Sequence, residues 1–527
     1  MNILIAEKLA EAGVELFRAQ AGWNVIVSNP KEYSAHLGEA EALVVRSAVQ
    51  VTADVLAKAP KLRIIGRAGV GVDNVDLGAA TAAGVLVMNT PGGNAVSVAE
   101  HTMALMLSMA RRIPQATLST KAGKWEKKNL LGSELRGKTL GIVGLGSIGR
   151  ETVKRSHAFE MRIVAHDPYV TSQIARDLNV DLVPLDDLYV QSDYITLHMA
   201  LTPETQGLLN RAAFARMKDG VRIVNCARGE LVDDDALAEA IKSGKVAGAA
   251  LDVFTKEPPA AGYPLFGLEP VLATPHIAGS TEEAQELVGV RIAEQMVEYL
   301  KNAIAINAVN MPPVSAEQYK QIGPYISLAE RLGRFAVFVA TGNPHTIRVA
   351  YRGKIAEGNT SLLRNAALAG TLTRSTSPRA NIVNSMQIAK QRGWNIAERH
   401  EGRSGMSDSI EVDLETDSGV TSVEGAILLG KERLIRVDDI SCEAVLRGQL
   451  VYMRNDDVPG VIGHVGSVLG ASGINIAAFS LGRLELPCGG PTQAVAVVST
   501  DSLVPDAVLG KLLENPAVKI ARAVELD

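Results

Sequence analysis

The sequence predicts an α/β protein with two helix-covered parallel sheets, the second inserted into the first. An α+β segment and a compact βαββαβ unit follow. Three observations carry that expectation. Short apolar strands alternate with helix patterns through residues 1–313, as in a parallel sheet with helices on its faces. A glycine-rich turn at 144–149 joins one such strand directly to one such helix. The chain from 448 to 527 runs strand, helix, strand, strand, helix, strand.

A chain of 527 residues is too long for one hydrophobic core. It is 47% hydrophobic and 21% charged, ordinary for a globular protein. Its 53 basic and 58 acidic side chains give a net charge of −5, and no long basic run occurs, which argues against nucleic acid as a partner. Cys226, Cys442 and Cys488 are too few and too scattered for a disulfide framework or a zinc site, and suit a reducing compartment. MNILIAEKLAEAG has no basic stretch followed by an apolar one, so no signal peptide is expected. Apolar runs are broken too early to span a bilayer. The expectation is a soluble, cytoplasmic protein with no metal site.

Taken in order, NILIA, NVIVSN, ALVVRS, RIIGRAG and LVMNTP read as strands. Ligands of such sheets sit beyond the carboxyl ends of the strands. Those ends carry Arg46, Arg67 with Gly69, and the loop from Asn89 through Gly92 to Asn94. Two arginines beside backbone N–H groups of a glycine-rich loop make an anion site. Residues 97–111 predict a helix, with Ser97 and Glu100 spaced as a capping box. TLGIVGLGSIG at 139–149 then matches a dinucleotide fingerprint, so this unit is expected to be Rossmann-like. Gly144 allows the tight turn, Gly146 lets backbone approach a pyrophosphate, and Gly149 lets the helix pack on the sheet. Asp167, eighteen residues after Gly149, is placed to bond the ribose hydroxyls and repel a 2′-phosphate, which favours NAD over NADP.

Further strand–helix units end near LATPHIAGS. A helix at 281–301 and the segment INAVN after it then return the chain to the opening layer. The expected boundaries are 1–97 with 291–313 for a substrate-binding unit, 98–290 for the nucleotide unit, 314–447 for an intervening unit and 448–527 for the terminal one. For 314–447 the pattern is one strand (TIRVAYRGKI), two helices and three further strands, with no catalytic constellation.

Arg228 in NCARGELVD, Glu257 in LDVFTKE and His276 in LATPHIAGST each follow an apolar strand. Hydride transfer from a hydroxy acid needs a base for the hydroxyl proton, a cation for the carboxylate or carbonyl oxygen, and a group to tune the base. Histidine, arginine and a carboxylate supply these three.

GLGSIG with Asp167, NCARGELVD, LDVFTKEPP and TPHIAGST, in this order, resemble the D-isomer-specific 2-hydroxyacid dehydrogenases. GRAGVGVDNVD and VMNTPGGNAVSVAEHT narrow the resemblance to the D-3-phosphoglycerate dehydrogenase family, and the middle and C-terminal units resemble its long form, with an intervening domain and a terminal ACT domain. The resemblance implies an NAD-dependent oxidation of 3-phosphoglycerate to 3-phosphohydroxypyruvate, the first step of phosphorylated serine biosynthesis. His276 would be the acid/base, Glu257 its partner and Arg228 the anchor. Arg46, Arg67, Gly69, Asn89, Gly92 and Asn94 would hold substrate. Gly144, Gly146, Ser147, Ile148, Gly149, Asp167, Cys226, Ala227, Arg228, Asp252, His276 and Gly279 would contact NAD. Ser147 stands where many members have arginine, which removes a pyrophosphate contact. Asp457 and Asn475 match the ACT effector signature, implying L-serine as regulator; an ACT domain kept only for assembly is the alternative. The family also implies a homotetramer. A glyoxylate or hydroxypyruvate reductase and an NAD-sensing binding protein remain as other readings.

Overall fold

The computed structural model describes residues 1–314, 316–374, 380–402, 407–484 and 493–526; Cys488 lies outside them. Four sheets organise the described residues. In the first, β1 (Asn2–Ile5), β2 (Asn24–Val27), β3 (Ala42–Val45), β4 (Ile64–Arg67) and β5 (Leu86–Met88) run parallel in the order β2-β1-β3-β4-β5. β1, β3, β4 and β5 are apolar and largely buried, as strands covered on both faces must be.

The second sheet holds β6 (Thr139–Val143), β7 (Arg162–His166), β8 (Asp181–Leu182), β9 (Tyr194–Leu197), β10 (Val221–Asn225), β11 (Val246–Leu251) and β12 (Val271–Ala273). All its pairings are parallel, in the order β12-β11-β10-β9-β6-β7-β8. The order reverses beside β6, so the glycine turn after β6 lies at the switch point where such sheets take their ligands.

Two helices join the sheets. Ala95–Arg111 starts two residues before the expected capping box, with Asn94 at its N-cap. Ser97 lies inside the helix and its hydroxyl meets the Thr281 hydroxyl at 2.8 Å. Thr281 caps the second helix, Glu282–Asn302, by accepting the N–H of Ala284. Ser97 has the chemistry of a helix start; what occupies it instead is this bond between two helices. Glu282–Asn302 packs on the first sheet, and a Cβ on Gly13 would come 2.5 Å from the Gly289 carbonyl oxygen, so helix Glu11–Arg18 meets it backbone to backbone. After it, Val309 N–H bonds the Val87 carbonyl and Ala308 bridges Met88, closing the first layer.

The third sheet has β13 (Pro344–Arg352), β14 (Asn395–Glu401), β15 (Ser409–Thr416), β16 (Gly419–Leu428), β17 (Lys431–Val437) and β18 (Ile440–Val445), ordered β14-β13-β15-β16-β17-β18. A helix over Ala316–Val339, additional to the two expected in this unit, covers it. Pro324 interrupts its pattern, but Leu328, Leu332 and Phe335 recur at helical spacing and are fully buried. Its partner Ser361–Leu372 approaches closely because Gly333 and Gly370 face backbone: Cβ atoms there would lie 2.1 and 2.0 Å from carbonyl oxygens. The fourth sheet comprises β19 (Gln449–Asp456), β20 (Ile476–Arg483), β21 (Gln493–Thr500) and β22 (Val518–Glu525) in the order β20-β21-β19-β22, with helices Val461–Ala471 and Asp506–Leu513 completing the expected βαββαβ. No helix among the described residues is long and apolar enough to cross a membrane.

Candidate active site

The fingerprint turn has the shape a dinucleotide needs. Gly144 has φ +98°, and a Cβ there would sit 2.5 Å from the His198 carbonyl oxygen. A Cβ on Gly149 would sit 2.1 Å from the Gly144 carbonyl oxygen, so only glycine lets helix Ser147–Ala158 start so close to β6. Nothing lies within 4 Å of a Cβ position on Gly146, which caps that helix and leaves its first N–H groups open. Ser147 is exposed beside it and Ile148 half-buried. Asp167 directly follows β7 and accepts the Leu145 N–H at 2.8 Å and the Tyr169 N–H at 2.8 Å, which fixes its carboxylate beside the turn. Each oxygen keeps a lone pair for ribose hydroxyls. These residues fit a bound dinucleotide.

Glu257 and His276 meet. His276 Nδ1 donates to Glu257 Oε2 at 2.7 Å. A carboxylate only accepts, so Nδ1 carries the proton and Nε2 is left to exchange one. The Phe254 N–H holds the other oxygen of Glu257 at 3.0 Å. His276 has φ +53°, a left-handed conformation costing a side-chain-bearing residue about 1–3 kcal/mol. Asp252 explains how it is held. Its fully buried carboxylate accepts Ile277 N–H at 2.9 Å, Ala278 N–H at 2.8 Å and the Thr274 hydroxyl at 2.6 Å, while His101 stands at 3.5 Å. Burial would push this carboxyl up, but the bonds from His101, Thr274 and the two N–H groups outweigh it and hold it below its ordinary value. Three of these contacts, from Thr274, Ile277 and Ala278, belong to the turn carrying His276, and His101 ties the same carboxylate to helix Ala95–Arg111.

Arg228 follows β10. Asn225, 1% exposed, ties its turn by accepting the Ala227 N–H and donating to the Arg228 carbonyl. A Cβ on Gly229 would lie 2.0 Å from the Phe254 carbonyl carbon, so the arginine loop rests on the loop that leads to Glu257. The guanidinium reaches across the cleft to Asp73, a residue outside the set expected from sequence. Cys226 turns its side chain into the core of the second unit, and burial pushes its thiol up to about 12.

The anion-site residues sit at the ends of β3, β4 and β5 as expected. Gly69 is dictated by Arg67: at φ +152°, its Cβ position lies 1.4 Å from Arg67 Nη1. Burial lowers the Arg67 pKa, Asp73 opposes that shift, and Nε is buried without a hydrogen-bond partner among the described residues. Arg46 donates to the Lys8 carbonyl and opens onto a pocket with Glu282, Gln285 and Glu286. Asn89 donates to the Val70 carbonyl at 2.5 Å. Gly92, at φ +72°, brings the loop within 3.6 Å (from its Cβ position) of Ser147 on the opposite unit. A Cβ on Gly279 would lie 2.7 Å from Asn94 Nδ2, so that loop and the His276 turn touch.

In the terminal unit Asp457 pairs with Arg483 at 3.2 Å in a pocket lined also by Val458, Ile462, Phe479 and Leu481. Asn475 donates to Asp501 at 2.7 Å. Arg483 and Asn475 mark opposite ends of β20, roughly 25 Å apart, so one chain does not bring Asp457 and Asn475 together. Among the described residues no His, Cys, Asp and Glu group could hold a metal ion.

Residues 103–278 match the family of D-isomer specific 2-hydroxyacid dehydrogenase NAD binding domains, and residues 321–438 match the D-3-phosphoglycerate dehydrogenase intervening domain. A D-3-phosphoglycerate dehydrogenase from Methanocaldococcus jannaschii is 41% identical over 528 residues, covering 100% of both chains. One from Archaeoglobus fulgidus is 41% identical over 530 residues, again 100% of each. Among solved structures, an NAD-dependent formate dehydrogenase from Staphylococcus aureus in complex with NAD superposes with a TM-score of 0.52 at 30% identity, over 58% of this chain and 97% of its own. With the dyad, the cross-cleft arginine and the fingerprint in place, the chain belongs to the D-3-phosphoglycerate dehydrogenase family of D-isomer-specific 2-hydroxyacid dehydrogenases.

Proposed function

We propose that this chain oxidises D-3-phosphoglycerate to 3-phosphohydroxypyruvate with NAD, the step that opens the phosphorylated route to L-serine. The observation that carries it is the His276–Glu257 pair at 2.7 Å, set on the same unit as the fingerprint turn and Arg228. Residues 1–94 and 282–313 act as the substrate side and 95–281 as the cofactor side, so the two joining helices each go whole to one unit instead of being cut at 97 and 290, with 314–447 and 448–527 as the intervening and ACT units.

Held by the fingerprint turn and Asp167, NAD⁺ would supply the acceptor for the hydride that leaves C2 of the substrate. His276 Nε2 removes the hydroxyl proton, and Glu257 stabilises the imidazolium that forms. Arg228 binds the carboxylate and the oxygen on which charge develops, the kind of stabilisation that usually lowers a barrier most. Arg46, Arg67 and the 89–94 loop hold the phosphate end. Gly144, Gly146, Ser147, Ile148 and Gly149 take the pyrophosphate and Asp167 the ribose. Ala227, Cys226 (through its backbone), Asp252 and Gly279 shape the nicotinamide side, Asp252 by fixing the His276 turn.

L-Serine is the proposed effector, bound between ACT units of neighbouring copies so that Asp457 of one and Asn475 of another share it, in a cytoplasmic homotetramer. The test of the whole reading is NADH oxidation with 3-phosphohydroxypyruvate, run beside hydroxypyruvate and 2-oxoglutarate, with and without serine. A strong preference for the phosphorylated acid supports the assignment. Equal rates with hydroxypyruvate would make this a general reductase, and no turnover would leave a binding protein. Rates and thermal stability unmoved by serine would remove the regulatory part alone.

A further inference from the structure

Asp73 grips Arg228 from the other side of the cleft. Its Oδ1 accepts Nε at 3.2 Å and its Oδ2 accepts Nη2 at 2.8 Å, while Nη1 donates to the Ala227 carbonyl at 2.6 Å. A guanidinium has five N–H donors. Asp73 takes the pair along its side edge and Ala227 takes one more. One N–H on each terminal nitrogen remains, and these two nitrogens flank the end edge, the second side from which a guanidinium binds a carboxylate.

Both ends of this contact are rigid. Asn74, next to Asp73, is 9% exposed and donates to the carbonyls of Arg46 and Val49 at 2.9 and 2.7 Å. Its own carbonyl accepts the Val51 N–H, and Asp76 caps helix Leu77–Ala82. Gly71 clears the path, since a Cβ there would lie 2.2 Å from Arg228 Nη2 and 2.7 Å from Asp73 Oδ2. On the other unit Asn225 fixes the arginine turn. Burial would raise the Asp73 carboxyl, but Arg228, then its own backbone N–H and then Arg67 hold it below its ordinary value.

We propose that Asp73 is a positioning residue: its carboxylate holds the side edge of Arg228 so that the end edge is presented to the substrate carboxylate. An exposed ion pair is ordinarily worth little to stability. What this one supplies is orientation, and it supplies it from the opposite unit, so Arg228 is aligned only when the cleft is closed. The proposal rests on the role given to Arg228 above.

The test uses full-length Asp73→Asn and Asp73→Glu, assayed with whichever 2-oxo acid the wild type reduces fastest. Failure of the phosphoglycerate reading therefore shows in the wild-type substrate comparison, whereas failure of the Asp73 role shows in the variants. An amide can accept only one of the two bonds. Asp73→Asn is expected to raise KM for the 2-oxo acid and lower kcat, for a loss in kcat/KM of about 10- to 100-fold, the scale of a hydrogen bond to a charged group. NADH affinity, read by fluorescence, stays at the wild-type value. In an Arg228→Ala background the same change has no further effect. Wild-type kinetics in Asp73→Asn, tighter substrate binding, or an undiminished loss in the Arg228→Ala background would each overturn the proposal. If Asp73→Asn does not fold, Asp73→Glu decides: the longer side chain keeps the charge but displaces the fork, and a KM equal to wild type would reject the role.

Discussion

Asp252 shows how one buried carboxylate sets the conformation of a reacting residue. The left-handed backbone of His276 is strained, and the next two N–H groups end on the two oxygens of Asp252. Because the folded carboxyl is held low, its contribution is complete above the ordinary carboxylate range and is lost as pH falls through the depressed value. At neutral pH it is therefore fully ionised. Asp252→Asn turns an amide N–H₂ toward donors and breaks at least one bond worth about 1.5–3 kcal/mol. The expected result is a fall in kcat of about 10- to 100-fold with a smaller change in NADH affinity. Stopped-flow hydride transfer beside NADH titration checks it, and an unchanged kcat would count against the turn-holding role. His276, Glu257 and Arg228 are legible in the sequence because each follows an apolar strand in a parallel sheet. Asp73 is not, because its partner lies 155 positions away and no periodicity marks it. The contacts of Asp252 are hidden for the same reason: a strand-end carboxylate reads alike whether it faces a cofactor or a neighbouring turn.

At the scale of elements, the fingerprint glycines separate into two kinds. Gly149 is demanded by packing, with backbone oxygen 2.1 Å from its Cβ position, whereas Gly146 faces open space. Gly149→Ala must push helix Ser147–Ala158 off β6, an overpacking cost of about 1–3 kcal/mol, so it should lower thermal stability and NADH affinity together. Gly146→Ala should leave the melting temperature unchanged and weaken only NADH binding. Paired calorimetry and fluorescence titration test this; equal stability losses in both variants would refute the division. Spacing alone marks the motif but cannot say which glycine serves the fold. The same limit appears in the intervening unit. Nothing in its strand pattern marks Glu411 as buried, yet it is 6% exposed on β15 and paired with Arg352 and Arg436, contacts that exist only once β13, β15 and β17 are folded together. Helix Ala316–Val339 is hard to read from sequence because Pro324 masks a pattern that the sheet beneath it makes decisive.

Across the whole molecule, the cores divide the chain differently from its order. Ile5 and Met88 of the first sheet, Met296 of the joining helix, Leu332 and Phe335 of the intervening unit and Tyr452 of the terminal sheet belong to one continuous apolar cluster. The second unit fills two clusters of its own, which share no residue with it. Helix Ala95–Arg111 packs with the second unit and helix Glu282–Asn302 with the first, so the chain crosses between bodies at 89–95 and again at 276–282. The crossings touch each other through Ser97–Thr281 and Asn94–Gly279. By contrast, Asn381 donates to the Gly84 carbonyl at 2.8 Å and Tyr319 bonds the Ala303 carbonyl, fastening the intervening unit to the first. Cleft closure should therefore move the second unit against a single block made of the other three. Hydrogen exchange on the full chain, with and without NAD and substrate, is expected to gain protection at 71–74, 89–97, 144–149 and 276–282. Protection at 299–322 and 381–391 should stay constant. Altered exchange across the 299–322 junction would mean that the intervening unit moves independently. A signal from the terminal unit would then need a route to the cleft other than the continuous core.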